Sequence, residues 1–233
     1  MIAAGEVGEL RRVIWLATGI FRPHAYYASG GWRATWAGEG GGVLINQASH
    51  DLDLLQWFAG QPARVTAKLG LGRYHPIEVE DDVSALLEYP GGATGLFAVT
   101  TGEAPGTSRV EIAGDRGKLE LDTESWTLRF FRNEVPASEF SRTTKERFSR
   151  PPFTEVNVSV EGDGKGPESH IVILENFRDA IVKGTPILAP AEEAIRSLEI
   201  GNAMLLSGLS GRTVELPIDA ELMEREMNRL ASR

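Results

Sequence analysis

The part of the sequence that most restricts its fold is the middle third. The runs "ARVTAKLGLG", "VSALLEY", "ATGLFAVTT", "SRVEIAG", "GKLELD" and "WTLRFFR" follow one another, separated by turn signals such as "PGG" and "GDRG". Short β-rich runs between glycine, proline and aspartate turns read as an antiparallel meander with hairpins. Several of these runs are apolar at both parities, as in Leu86 beside Leu87 and Leu96 beside Phe97. A sheet with one wet face alternates more cleanly. The second face is therefore expected to be buried by a partner chain, making the protein a homo-oligomer through its sheet.

The flanks complete the fold class. "EVGELRRVIWLATG" reads as a strand that starts almost at Met1, and "FRPHAYYASGGWRATWAGEGGG" as a long aromatic, glycine-rich loop. Loops of that length within a domain tend to be functional. From about Gly42 to Phe58 the pattern is helical, with Gly60 suited to the residue after the helix and Pro62 blocking continuation. Residues 133–165 are polar and irregular, and "FTEVNVSV" returns to the sheet. The last third is helical in three segments, the first opening at Glu168 and Ser169 and closing at Gly184. Strands in a run with helices at both ends describe an α+β fold, an open, mainly antiparallel sheet with helices packed on one face. The expectation is one domain over residues 1–233.

Charge and composition narrow the partners. A net charge of −9 supplies no basic footprint for nucleic acid. The absence of cysteine removes disulfides, thiolate nucleophiles and cysteine-based zinc sites. The start of the chain has acids and glycines where a signal peptide needs a basic stretch and an apolar run, and no window is long and apolar enough for a membrane span. A cytoplasmic protein with no membrane or nucleic-acid partner and a small-molecule ligand is expected.

Chemistry concentrates before and within the first long helix. Asn46, His50, Asp53 and Trp57 are spaced i, i+4, i+7, i+11, which places them within an arc of roughly 60°. Leu44, Ala48, Leu52 and Leu55 lie opposite, and Asp51 falls among them without a sequence-level reason. His50 reads either as a structural histidine or as a proton-transfer group, with Asn46 and Asp53 able to fix its tautomer and orientation. Gly38 and Gly40 to Gly42 form a plain tight turn or let backbone amides approach an anion at a helix N-terminus. They do not spell a nucleotide-binding loop. Trp32 and Arg33 pair an aromatic with a guanidinium, suited either to loop packing or to a hydroxylated or anionic ligand. "HPIEVEDD" (His75 to Asp82) looks like a metal cluster but reads as a solvated strand entrance. His24 and His170 are single and read as structural. No metal-ligand or serine-hydrolase spacing occurs.

The segment "YYASGGWRATWAGEGGGVLINQASHDLDLLQWFAGQP" resembles the region after the nucleotide domain in the glucose–fructose oxidoreductase, inositol dehydrogenase and MocA (Gfo/Idh/MocA) family, where a glycine run leads into D/N-x-x-x-H-x-x-D. "EVEDD", "GDRGKLELD", "HIVILENFRDAIVKGTP" and "EEAIRSLEIGNAMLLSGLSGRTVELP" follow in the family's order, so the likeness runs from Gly5 to about Pro217. It implies a C-terminal domain that binds substrate and mediates oligomerisation through its open sheet. It also implies that His50 is the acid/base acting on a substrate hydroxyl. Asn46 then stands where an aspartate is common and orients substrate or His50, while Trp32, Arg33 and Asp53 bind substrate. The implied activity is NAD(P)-dependent oxidation or reduction of a sugar, polyol or related hydroxylated compound. The family's Rossmann domain, with its glycine fingerprint and E-K-P segment, has no counterpart in these residues. The expectation is thus a substrate-binding and catalytic half without a cofactor-binding or metal site, inactive without a Rossmann domain, which a separate chain could supply. The alternative is a non-catalytic sugar-binding or oligomerisation module.

Overall fold

The computed structural model describes residues 1–158 and 167–232. The chain runs through β1 (Leu10–Ala17), α1 (His24–Tyr27), α2 (Ser49–Ala59), β2 (Arg64–Leu71), β3 (Glu80–Glu88), β4 (Thr94–Thr100), β5 (Ser108–Gly114), β6 (Gly117–Asp122) and β7 (Thr127–Asn133). It continues with α3 (Ala137–Thr143), β8 (Phe153–Val158), α4 (Pro167–Lys183), α5 (Ala191–Ser210), β9 (Val214–Glu215) and α6 (Ala220–Ala231). All nine strands join one sheet in the order β8-β7-β6-β5-β1-β4-β3-β2-β9. Neighbours are antiparallel except β1 and β4, which pair in parallel with Trp15 opposite Phe97. The open, mainly antiparallel sheet read from the sequence is the observed one.

Alternation along the strands builds the core. Val13, Trp15 and Ala17 of β1, Val83, Ala85 and Leu87 of β3, Phe97 and Val99 of β4, and Val110 and Ile112 of β5 are all buried on one face. Helices α2 and α5 cover part of that face, α5 lying on β2 and against α2. Glycines let α5 approach: Gly201 faces Leu52 of α2, and Gly208 sits where a side chain would overlap Leu69 of β2. Turns follow the expected chemistry, with Gly211 left-handed after α5 at φ +67° and Asp219 capping the Glu221 and Leu222 amides of α6.

The opposite face holds a row of Ile14, Leu96 and Leu86, in register across β1, β4 and β3. Leu86 and Leu96 are 41% and 47% exposed. Toward β8 the same face turns ionic: Arg129 meets Glu120 at 2.7 Å, and Arg109 meets Glu111 at 2.7 Å and Glu120 at 3.1 Å.

Several expectations are corrected. The first strand starts at Leu10, because Gly5 and Gly8, at φ +72° and +77°, fold the preceding residues into turns. The polar stretch after β7 contains α3, docked through Ser138, whose amide and hydroxyl both donate to Asp115. A further short strand, β9, pairs with β2. The "HPIEVEDD" segment is solvated only in part: Pro76 and Glu78 are exposed and Asp82 is half-buried, but His75, Glu80 and Asp81 are buried at 5%, 1% and 0% exposure. Capping by the side chains of Glu168 and Ser169, and the end of "FTEVNVSV", lie outside the described residues.

Candidate active site

The helix expected from Gly42 starts instead at Ser49, and the reason lies in the glycines. The Gly42 and Leu44 amides donate to Glu80 Oε1 at 2.9 and 3.1 Å, and the Val43 amide donates to the Glu80 carbonyl at 2.9 Å. A Cβ on Gly42 would overlap that carbonyl oxygen, so only glycine lets the two backbones come this close. The anion met by the glycine-rich backbone is thus the chain's own carboxylate. Burial pushes Glu80 up to about 7, against the opposing pull of its backbone hydrogen bonds.

The turn then places Asn46 and Gln47 before α2. Tyr26 of α1 is the hub they share: its hydroxyl accepts from Arg33 Nη1 at 2.7 Å and Gln47 Nε2 at 3.2 Å, and lies 3.5 Å from Asn46 Oδ1. Asn46 Nδ2 donates to Glu39 Oε1, and Glu39 Oε2 accepts the Ala34 amide at 2.6 Å. The Arg33 guanidinium stacks over Tyr26 and Trp32 at 4.5 and 4.6 Å and lies 4.0 Å from Glu39. Its charge is therefore met internally by a carboxylate and two aromatic faces.

Of the predicted residues, Asn46, Arg33 and Trp32 come together around Tyr26. His50 and Asp53 stand apart from that network, exposed on the outer side of α2 with Trp57, which is 69% exposed. Asn46 is engaged by Glu39 and Tyr26, and Asp53 by Gln56 at 3.4 Å. Neither holds the imidazole. Asp51, unexplained in the sequence, accepts Trp15 Nε1–H at 2.8 Å and ties α2 to the sheet. Burial raises its carboxyl above the ordinary range despite that bond.

Sequence reasoning missed Tyr26, Glu39 and Gln47. They sit in an aperiodic loop, and the only available signal was its aromatic and glycine content. It also missed the support beneath the loop. His75 Nδ1 lies 2.9 Å from Asp81 Oδ2 and Nε2 lies 2.8 Å from the Arg22 carbonyl, while Asp81 also accepts the amides of Arg73, Tyr74 and His75. This pins the segment leading into α1.

Among the described residues, no group of three or more His, Cys, Asp or Glu side chains converges to hold a metal, and no helix is long and apolar enough to cross a membrane. Among the described residues, the glycine turn does not have the form of a phosphate-binding loop. The Gly42 and Leu44 amides are committed to the Glu80 carboxylate and the Gly40 amide to the Thr35 carbonyl, and the turn does not join a strand directly to a helix as a phosphate-binding loop does.

Comparison with known proteins agrees with this architecture. Residues 1–120 match the model of the GFO/IDH/MocA C-terminal domain. The chain is 31% identical over 129 residues to trans-1,2-dihydrobenzene-1,2-diol dehydrogenase of Bos taurus, an alignment covering 54% of this chain and 35% of that protein. Among solved structures, the WlbA dehydrogenase of Chromobacterium violaceum, in complex with NADH and UDP-GlcNAcA, is similar with a TM-score of 0.73 at 26% identity. That match covers 94% of this chain and 58% of the other. A levoglucosan dehydrogenase in complex with NADH shares the fold at a TM-score of 0.72 and 19% identity, with coverage of 94% and 61%. The chain thus spans about a third of the length of the first curated relative and about three-fifths of these structures.

Proposed function

The chain belongs to the GFO/IDH/MocA family, and from that premise we propose that it is the substrate-binding and catalytic half of an NAD(P)-dependent oxidoreductase acting on a sugar, diol or related hydroxylated compound. The observation that carries the reading is the family match over residues 1–120; the Arg33–Tyr26–Asn46–Glu39 cluster ahead of α2 and the exposed His50 on that helix support it. A nicotinamide would supply the hydride chemistry; the residues of this chain would bind and orient the alcohol and handle its proton. His50, in the first turn of α2, takes the hydroxyl proton when the substrate is oxidised and returns it on reduction. Asn46, unable to act as a base, orients the substrate, helped by Arg33, Trp32 and Asp53. Because Glu39 already neutralises Arg33, an uncharged polyol or diol suits the cluster better than a carboxylate. The open sheet face is the proposed surface for a homo-oligomer.

The test is nicotinamide turnover with a panel of sugars, polyols and diols, using the chain alone and with nucleotide-binding domains of family members supplied in trans. His50→Ala should lower turnover by about 10²- to 10⁴-fold with little change in substrate binding. Unchanged turnover in the variant removes His50 from the chemistry. Polyol binding without turnover under any of these conditions favours a non-catalytic binding module.

A further inference from the structure

Between the glycine turn, the start of α2 and the middle of α5 lies a cleft of about 50 Å³, lined by Gly40, Gly41, Ser49, Glu80, Ser197 and Asn202 together with aliphatic side chains. One water needs roughly 10–15 Å³ by that measure, so there is room for an ion with some of its hydration. One wall is Glu80, 1% exposed, whose Oε1 is held by two amides and whose buried Oε2 has no hydrogen-bond partner among the described residues. A buried carboxylate left half satisfied is costly.

Two other polar groups that line the cleft have their protons engaged outside it. Ser49 Oγ donates its proton to the Asn46 carbonyl at 3.2 Å, and Ser197 Oγ donates to the Ala194 carbonyl at 2.9 Å. With both protons used elsewhere, the two hydroxyls present lone pairs. Asn202 also lines the cleft.

We propose that this cleft is a binding site for a monovalent cation of the sodium or potassium type, with Glu80 as its one anionic ligand and Ser49, Ser197 and Asn202 as neutral oxygen ligands. A single carboxylate balances a single charge. Calcium normally draws on more carboxylates within its six to eight oxygens, and magnesium keeps most of its water. The ion would brace the Gly42–Leu44 turn from which Asn46 and His50 project, and it does so whether or not His50 handles a substrate proton.

The experiment is thermal unfolding at pH 8 in equal concentrations of potassium, sodium or tetramethylammonium chloride, the last too bulky for the cleft. Potassium or sodium should raise the melting temperature of the wild type by about 2–4 °C over tetramethylammonium, and the rise should vanish in Glu80→Gln. Ser197→Ala should increase the half-saturating salt concentration several-fold while leaving the melting temperature in tetramethylammonium unchanged. Thallium(I)-soaked crystals should show an anomalous peak beside Glu80, which reads the site directly if Glu80→Gln does not fold. Equal melting temperatures in the three salts, a salt-specific rise that survives in Glu80→Gln, or only water beside Glu80 in thallium-soaked crystals would overturn the proposal.

Discussion

At the scale of single residues, Glu80 governs the surroundings of the candidate site. Its folded pKa is raised from 4.5 to about 7 by burial, so the folded state holds a proton between those values that the unfolded chain has lost. Stability contributed by this group is present at low pH and falls as pH rises from about 4.5 through 7. In tetramethylammonium buffers, where no small cation offsets the charge, the loss should be on the order of 3 kcal/mol by pH 8. Denaturant unfolding of wild type and Glu80→Gln at pH 5 and pH 8 measures it. The wild type should lose stability across that interval and the variant should show no corresponding slope.

At the scale of elements, the late start of α2 shows how a side chain overrides a helical pattern. Residues 42–48 carry the apolar spacing of a helix, yet two of their amides serve the Glu80 carboxylate and a third the Glu80 carbonyl. Gly42→Ala drives a methyl into backbone that cannot move aside. It should cost roughly 3 kcal/mol, seen as a melting temperature lower by about 6–12 °C. Gly208→Ala drives its methyl into the half-buried Leu69 side chain at Cγ; that side chain must change its χ1 rotamer, whereas the obstacle at Gly42 is backbone, so the penalty should be smaller in the same measurement.

At the scale of the molecule, the sheet presents two unlike faces. One carries the core under α2 and α5; the other carries the Ile14–Leu96–Leu86 row beside an ionic ladder. Exposed aliphatics keep apolar area in contact with water, at a cost, unless a partner covers them. Sedimentation should therefore find an oligomer at micromolar concentration, and Leu86→Glu with Leu96→Lys should shift it to monomer without unfolding it. A wild-type monomer under those conditions would remove the sheet face from the account of assembly.

The sequence by itself determined that the sheet is open and mainly antiparallel and where most of its strands run, but not the insertion of β1 between β5 and β4 or the short β9. Strand periodicity and turn residues are local, so β2 to β7 were legible from alternation and glycine-rich breaks, and motif order was enough to point to the family. It also singled out Asn46, Arg33 and Trp32, though not that Tyr26 and Glu39 gather them. What only the tertiary structure decided involved partners distant in the chain: Gly42 and Leu44 on Glu80, Trp15 on Asp51, and His75 on the Arg22 carbonyl. Buried polar groups take whichever partner the fold brings within reach, and nothing in their local spacing announces it. "HPIEVEDD" therefore reads as solvated in one dimension, while in three its Glu80 and Asp81 lie buried.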